Sequence, residues 1–187
     1  MSANLPLASW LGREIASLPC DETGPVGQQL VRRYLAAYGP ATTGDIRSWC
    51  GLTGLPAAVR AIRDELVAFR CERGRELLDL PDAPRPHPDT PAPVGFLPAF
   101  DNVIIGCQGR DRIIDDAHLG VSVAGQRAVL VDGRVAATWT LRDGQLDITP
   151  LRPLSAAERE EVHAEAQALA VFHDANVDRV RVATDIG

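Results

Sequence analysis

The side chains able to do chemistry are few and scattered. The histidines are His87, His118, His163 and His173. None stands at ligand spacing from another, and His163 and His173, ten residues apart, cannot share a ligand. The cysteines are Cys20, Cys50, Cys71 and Cys107, with no C-x-x-C pair among them. They read as small apolar packing residues rather than as a zinc or disulfide frame. No serine sits in a G-x-S-x-G setting, and no Gly-rich loop follows a strand at phosphate-binding spacing. Asp115-Asp116 lacks a further carboxylate and reads as charge at the start of a helix. No cofactor or metal is expected, and no catalytic constellation emerges.

Arginine is the one reactive residue type with a pattern. All 19 basic residues are Arg and none is Lys. Codon bias in a GC-rich, bacterial genome also gives this usage, but an exposed guanidinium still favours bidentate contacts to phosphate and guanine. Residues 32–75 hold eight arginines against four acids, so this stretch is +4 inside a chain of net charge -6. A basic module in an acidic chain is the electrostatic footprint of a localised phosphate-binding face. The bland alternative is a solvated helix surface.

The elements that must position those arginines follow from periodicity. Residues 1–23 hold one apolar segment, Leu5 to Leu11, expected as a packing strap or partial helix. A first helix is expected from Val26 to Tyr38, stopped by Gly39-Pro40. A short second helix runs from Gly44 to Cys50, capped by Thr42 or Thr43, with Ile46 and Trp49 inward and Arg47 outward. The third is expected from Leu55 to Val67, with Leu55, Val59, Ile62 and Leu66 on one stripe. Its other face shows Ala57, Arg60, Ala61, Arg63 and Asp64, small enough to enter a groove and still offer donors. Arg73-Gly74-Arg75 then turns a hairpin. Three helices and a β-ribbon make a winged helix, whose partner would be a nucleic-acid duplex.

Six prolines between Pro81 and Pro93 make a stiff, extended linker. Beyond it lies an apolar strand or strand–turn from Gly95, the charged turn Gln108 to Arg112, and a short helix near Asp115–His118. A meander follows, with Asp132-Gly133 and Asp143-Gly144 as its turns between strands 127–131, 134–141 and 145–151. Ser155 with Glu158 forms a capping box for a helix to about His173, with Ala156, Val162, Ala166, Leu169, Ala170 and Phe172 as its apolar side. A last strand is expected over 177–182, with Arg179 and Arg181 outward.

Four segments together carry a resemblance. They are Leu30 to Thr42, Phe96-Leu97-Pro98-Ala99-Phe100-Asp101, Val129 to Val135 with Trp139 after it, and Arg152-Pro153-Leu154-Ser155 leading into the Ala/Glu-rich helix. In order and spacing, from Trp10 to Phe172, they resemble the winged-helix DNA-binding domain-containing proteins of the crosslink-repair DNA glycosylase type (AlkZ/YcaQ-like). The resemblance implies tandem winged-helix units lining a basic, concave, duplex-sized surface. It covers that family's middle and C-terminal part. A Gln-x-Gln motif of the family's first winged helix has no counterpart here, since Gln28 and Gln29 are adjacent. No catalytic residue is carried over, and a gene fragment that has lost an upstream portion stands as a third alternative. The segments Asn102-Val103 and Gly106 to Arg112 depart from the family's usual aromatic and Arg-rich form.

The expected fold is therefore α/β (α+β): a strap over 1–23, a winged helix over 24–82, a Pro-rich linker over 83–93, and a β-meander plus helix over 94–187, with a second, degenerate winged helix as an alternative reading of that last part. The expected function is duplex DNA binding through the third helix and wing, without chemistry of its own. Arg47, Thr53, Arg60, Arg63, Arg73 and Arg75 are the candidate contacts, Thr53 through a helix N-terminus. Two alternatives stand beside it: a divergent or truncated glycosylase of alkylation and crosslink repair, and a protein–protein interaction module. With no apolar run near ~20 residues and no signal peptide in view, the cytoplasm is the expected location, nucleoid-associated if DNA is bound, and no membrane partner is expected.

Overall fold

The computed structural model describes residues 7–14, 24–173 and 177–183. Helix α1 spans Leu7–Leu11. This is the partial helix expected in that segment, with Trp10 72% exposed, while Leu5 and Pro6 lie outside the described residues. Helix α2 spans Pro25–Tyr38, with proline in its first turn, where no N–H is missed. Gly39, at φ +73, closes it through an N–H donated to the Leu35 carbonyl. Val31, Tyr34 and Leu35 form its buried stripe.

Helix α3 (Thr43–Cys50) opens on a full capping box. The Asp45 N–H donates to Thr42 Oγ1 at 3.0 Å, and the Thr42 N–H donates back to the Asp45 carboxylate at 2.8 Å. Ile46 is buried, but Trp49 is 41% exposed, a correction to its expected inward position. Its ring instead caps Tyr34 and Tyr38 edge-on at 5.5 and 5.9 Å.

Helix α4 covers only Leu55–Ala61, and Arg63–Glu65 continues as a 3-10 turn. The expected helix to Val67 is therefore cut short. The apolar stripe survives, with Leu55, Val59, Ile62 and Leu66 all buried. Two tertiary ion pairs tie down the 3-10 turn. Glu65 is drawn to Arg32 on α2 by two hydrogen bonds of 2.8 and 2.9 Å, while Arg63 reaches Glu76 at 2.9 Å. The backbone turns extended at Leu66 (ψ 144) and a strand starts at Val67.

Strands β1 (Val67–Arg70) and β2 (Glu76–Asp79) pair antiparallel, with Arg70 opposite Glu76. Gly74, at φ +75, makes the turn between them. Ala41 pairs with Leu78 on the other edge, which adds a one-residue third strand. This is a winged helix around one core that includes Tyr34, Ile46, Leu55 and Ile62.

The second unit is a five-stranded sheet ordered β3 (Gly95–Leu97), β4 (Arg127–Val131), β5 (Arg134–Arg142), β6 (Gln145–Pro150) and β7 (Val180–Val182). Its pairs are antiparallel except β6–β7, which is parallel. Both Asp-Gly turns have two successive residues at positive φ (50° and 71°, 49° and 73°), the twist that suits a two-residue hairpin. The short helices α5 (Asn102–Ile105) and α6 (Gly120–Val123) lie between β3 and β4.

Helix α7 (Ala156–Phe172) starts on the expected Ser155–Glu158 capping box. Val162 and Ala166 join Val129, Ala137 and Ile148 in the sheet's core. Ala156 is exposed and Phe172 is 81% exposed, so neither belongs to the apolar side assigned to them. The last strand is shorter than expected because 177–179 forms a 3-10 turn, and both Arg179 and Arg181 are exposed.

Candidate nucleic-acid interface

The turn of residues 106–112 ties the second unit to the winged helix. Tyr34 donates its hydroxyl to the Gly106 carbonyl at 2.8 Å, a buried bond across 72 residues of sequence. Its oxygen also lies 3.4 Å from Cys107 Sγ. Burial first, and then the Cys107 contact, push the Tyr34 hydroxyl's pKa well up, so it stays protonated and donates. Asp45 provides the second tie. Its Oδ1 accepts the N–H groups of Gln108 and Gly109 at 2.9 and 3.1 Å, while Oδ2 holds Thr42. Burial pushes this carboxyl up, but the hydrogen bonds from Thr42, Gly109 and Gln108 outweigh it and hold the pKa below its usual range.

On its other side the turn is fixed to β5. Arg134 Nη1 donates to the carbonyls of Asp111 and Arg112, both at 3.0 Å, and the guanidinium also pairs with Asp115. The wing tip bears on the same turn. Arg73 is 3.3 Å from Asp111. The Arg75 guanidinium lies so near Gly109 that a Cβ there would come within 2.9 Å of it.

These contacts enclose a cleft of about 620 Å3. Arg70, Arg73 and Arg75 line it from the wing, Arg112 from the turn and Arg134 from β5. Its carboxylates are Asp45, Glu72 and Asp111. Five guanidinium groups thus face three carboxylates across the cleft, a formal surplus of two positive charges, with Arg73 paired to Asp111 and Arg134 to Asp115 outside it. Cys71 and Cys107 also line it. Partial desolvation raises the Cys71 thiol, but hydrogen bonds from the Arg75 and Arg73 backbone and from the Arg75 side chain bring it below the usual thiol value. Arg112 donates to Cys107 Sγ at 3.3 Å.

The six residues singled out from sequence therefore separate. Arg73 and Arg75 come together in the cleft. Arg47 and Arg60 are exposed on α3 and α4 and do not line it. Arg63 is half-buried and committed to Glu76. Thr53 is exposed one residue ahead of the N-cap of α4, which is Gly54, and the helix has seven residues. Arg70, Arg112 and Arg134 were missed. The charge triplet Arg110-Asp111-Arg112 was the available signal for one of them, while Arg134 reads in sequence only as the first residue of a strand.

Comparison with known proteins adds relatives to this description. The model of a family described as "DNA glycosylase AlkZ-like" matches residues 6–172. An "Interstrand DNA cross-link repair glycosylase" of Streptomyces sahachiroi is 29% identical over 174 residues, covering 83% of this chain and 46% of that protein. The solved structure of Streptomyces sahachiroi DNA glycosylase AlkZ superposes with a TM-score of 0.76 at 23% identity, over 94% of this chain and 50% of the other. The chain thus shares the fold of the matched half of that protein, and it spans about half the length of the relatives it matches.

Proposed function

The chain belongs to the AlkZ-like DNA glycosylase family, and from that premise we propose that it grips the backbone of duplex DNA through the arginine cleft between the wing and the 106–112 turn. The observation that carries this is the gathering of five guanidinium groups from three separate elements in one concavity. Phosphate oxygens accept two parallel N–H bonds from a guanidinium, which a lone ammonium does not offer. Arg47 and Arg60, exposed on α3 and α4, extend the contact along the winged helix, with Thr53 beside the start of α4. Arg63, braced on Glu76, holds the turn after α4 in place.

The test is the salt dependence of binding to a duplex of ~20 base pairs, read by fluorescence anisotropy. Four or five phosphate contacts give log K against log salt a slope of about -4. Replacing Arg73 and Arg75 by Ala shrinks that slope by about 1–2, and replacing Arg60 and Arg63 by Ala tests the α4 face in the same way. An unchanged slope in the wing variant removes the cleft from the binding surface.

Family membership favours a second reading, release of a modified base from alkylated or cross-linked DNA. Incubating the purified chain with alkylated duplex and measuring free base separates the two readings. Binding without release leaves the chain as a DNA-gripping protein, while release assigns it the glycosylase chemistry as well.

A further inference from the structure

Phe100 sits in the left-handed region at φ +59 and is 63% exposed. Both facts run against its residue type. A bulky side chain is strained there, and glycine would make the same turn without strain. Nor is the ring withdrawn from water in return. It rests on Gly125, where an added Cβ would come within 2.5 Å of the ring's Cζ, so the seat admits only glycine. The structure holds an aromatic ring out into solvent on a seat shaped for it.

Gly125 also borders a groove of about 380 Å3, lined further by Gln126, Arg127, Thr138, Thr140 and Arg142 among others. This groove carries two guanidinium groups and no carboxylate. Arg127 lies 4.7 Å from the centre of the Trp139 ring, and this stacking steadies its guanidinium at the groove's edge. Val123, 78% exposed and two residues from the glycine seat, adds a second apolar surface. A projecting ring next to a cationic groove offers a π-face to a base and donors to the phosphates beside it.

We propose that Phe100 is a nucleobase-stacking residue that receives an unpaired DNA base, with Arg127 and Arg142 taking the phosphates that flank it. The inference rests on the reading of the chain as a DNA binder but uses a different surface from the cleft. An unpaired base is the occupant because a paired base hides its face in the helix stack, and exposing it costs least where pairing is already broken.

The experiment compares the affinity of the full chain for an intact duplex and for the same duplex with one bulged nucleotide, at a single salt concentration. The wild-type chain prefers the bulged duplex by about five-fold or more, the size of one stacked base. Phe100→Gly brings the preference to about one while leaving the salt slope unchanged. The same variant melts no lower than wild type, because glycine relieves the strained φ. A ring that only packs the structure would instead lower the melting temperature and leave the preference intact. Equal wild-type affinity for the two duplexes, or a preference that survives Phe100→Gly, overturns the proposal and leaves the exposed ring as a surface for a protein partner. Binding to neither duplex overturns the DNA reading itself.

Discussion

At the scale of single residues, Asp45 joins two roles in one carboxylate. One oxygen closes the cap of α3, and the other receives two backbone N–H groups from the turn that separates the wing from the second sheet. Asp45→Ala leaves those buried donors unpaired and is expected to cost about 2–4 kcal/mol, seen as a lower melting temperature by calorimetry. The folded pKa of Asp45 is depressed. Its contribution is therefore present above its ordinary value of 3.8 and lost as pH falls through the lower folded value, so the gap between wild type and variant narrows on acidification. Glu158 follows the same sign. The Arg152 side chain at 2.7 Å, and then the Ser155 N–H at 2.7 Å, hold its carboxyl down to about 2. Glu158→Gln is expected to cost about 1 kcal/mol at pH 7. The difference shrinks between pH 4.5 and pH 2 and is gone below that, which thermal melts across the range will show.

At the scale of elements, what could be read in the sequence was what neighbours in sequence decide. Thr42 with Asp45 and Ser155 with Glu158 announce two helix starts, and two Asp-Gly pairs announce the hairpins of the large sheet. The end of α4 was not legible because no glycine or proline marks it between Ala61 and Leu66, and the side chains that tie the turn, Arg32 and Glu76, lie on other elements. Trp49 was misplaced for a similar reason. Helical spacing puts it inward, yet the indole is left half-exposed, resting edge-on against the tyrosines of α2. The cleft was half legible. A run of arginines marked the wing, but Arg112 and Arg134 join it only because Tyr34 and Asp45 hold the 106–112 turn against the winged helix. No periodicity encodes that docking. Phe100 belongs to a segment that the family resemblance singles out, but its positive φ is visible only in the folded backbone.

At the scale of the whole molecule, the net charge of -6 and the cationic cleft describe different ranges of the same field. Within a Debye length of about 8 Å at physiological salt, a phosphate senses the local guanidinium groups more than the distant acids. The proline segment sets a further property of the assembly. Arg85 donates to the carbonyls of Leu80 and Pro81, pairs with buried Asp79 at 3.2 Å, and lies 5.2 Å from the centre of the Phe69 ring. The first part of the segment is thereby fastened to the wing, and only residues 86–93 remain as a tether, about 25 Å at full polyproline extension. So short a tether keeps the 106–112 turn at a high effective concentration, on the order of millimolar, beside Tyr34 and Asp45. Those few polar bonds need only be strong enough for an intramolecular partner. Cutting the chain between His87 and Thr90 with a protease, where every residue is exposed, removes that advantage. The two pieces are then expected to separate on dilution, which size-exclusion chromatography at falling concentration will detect.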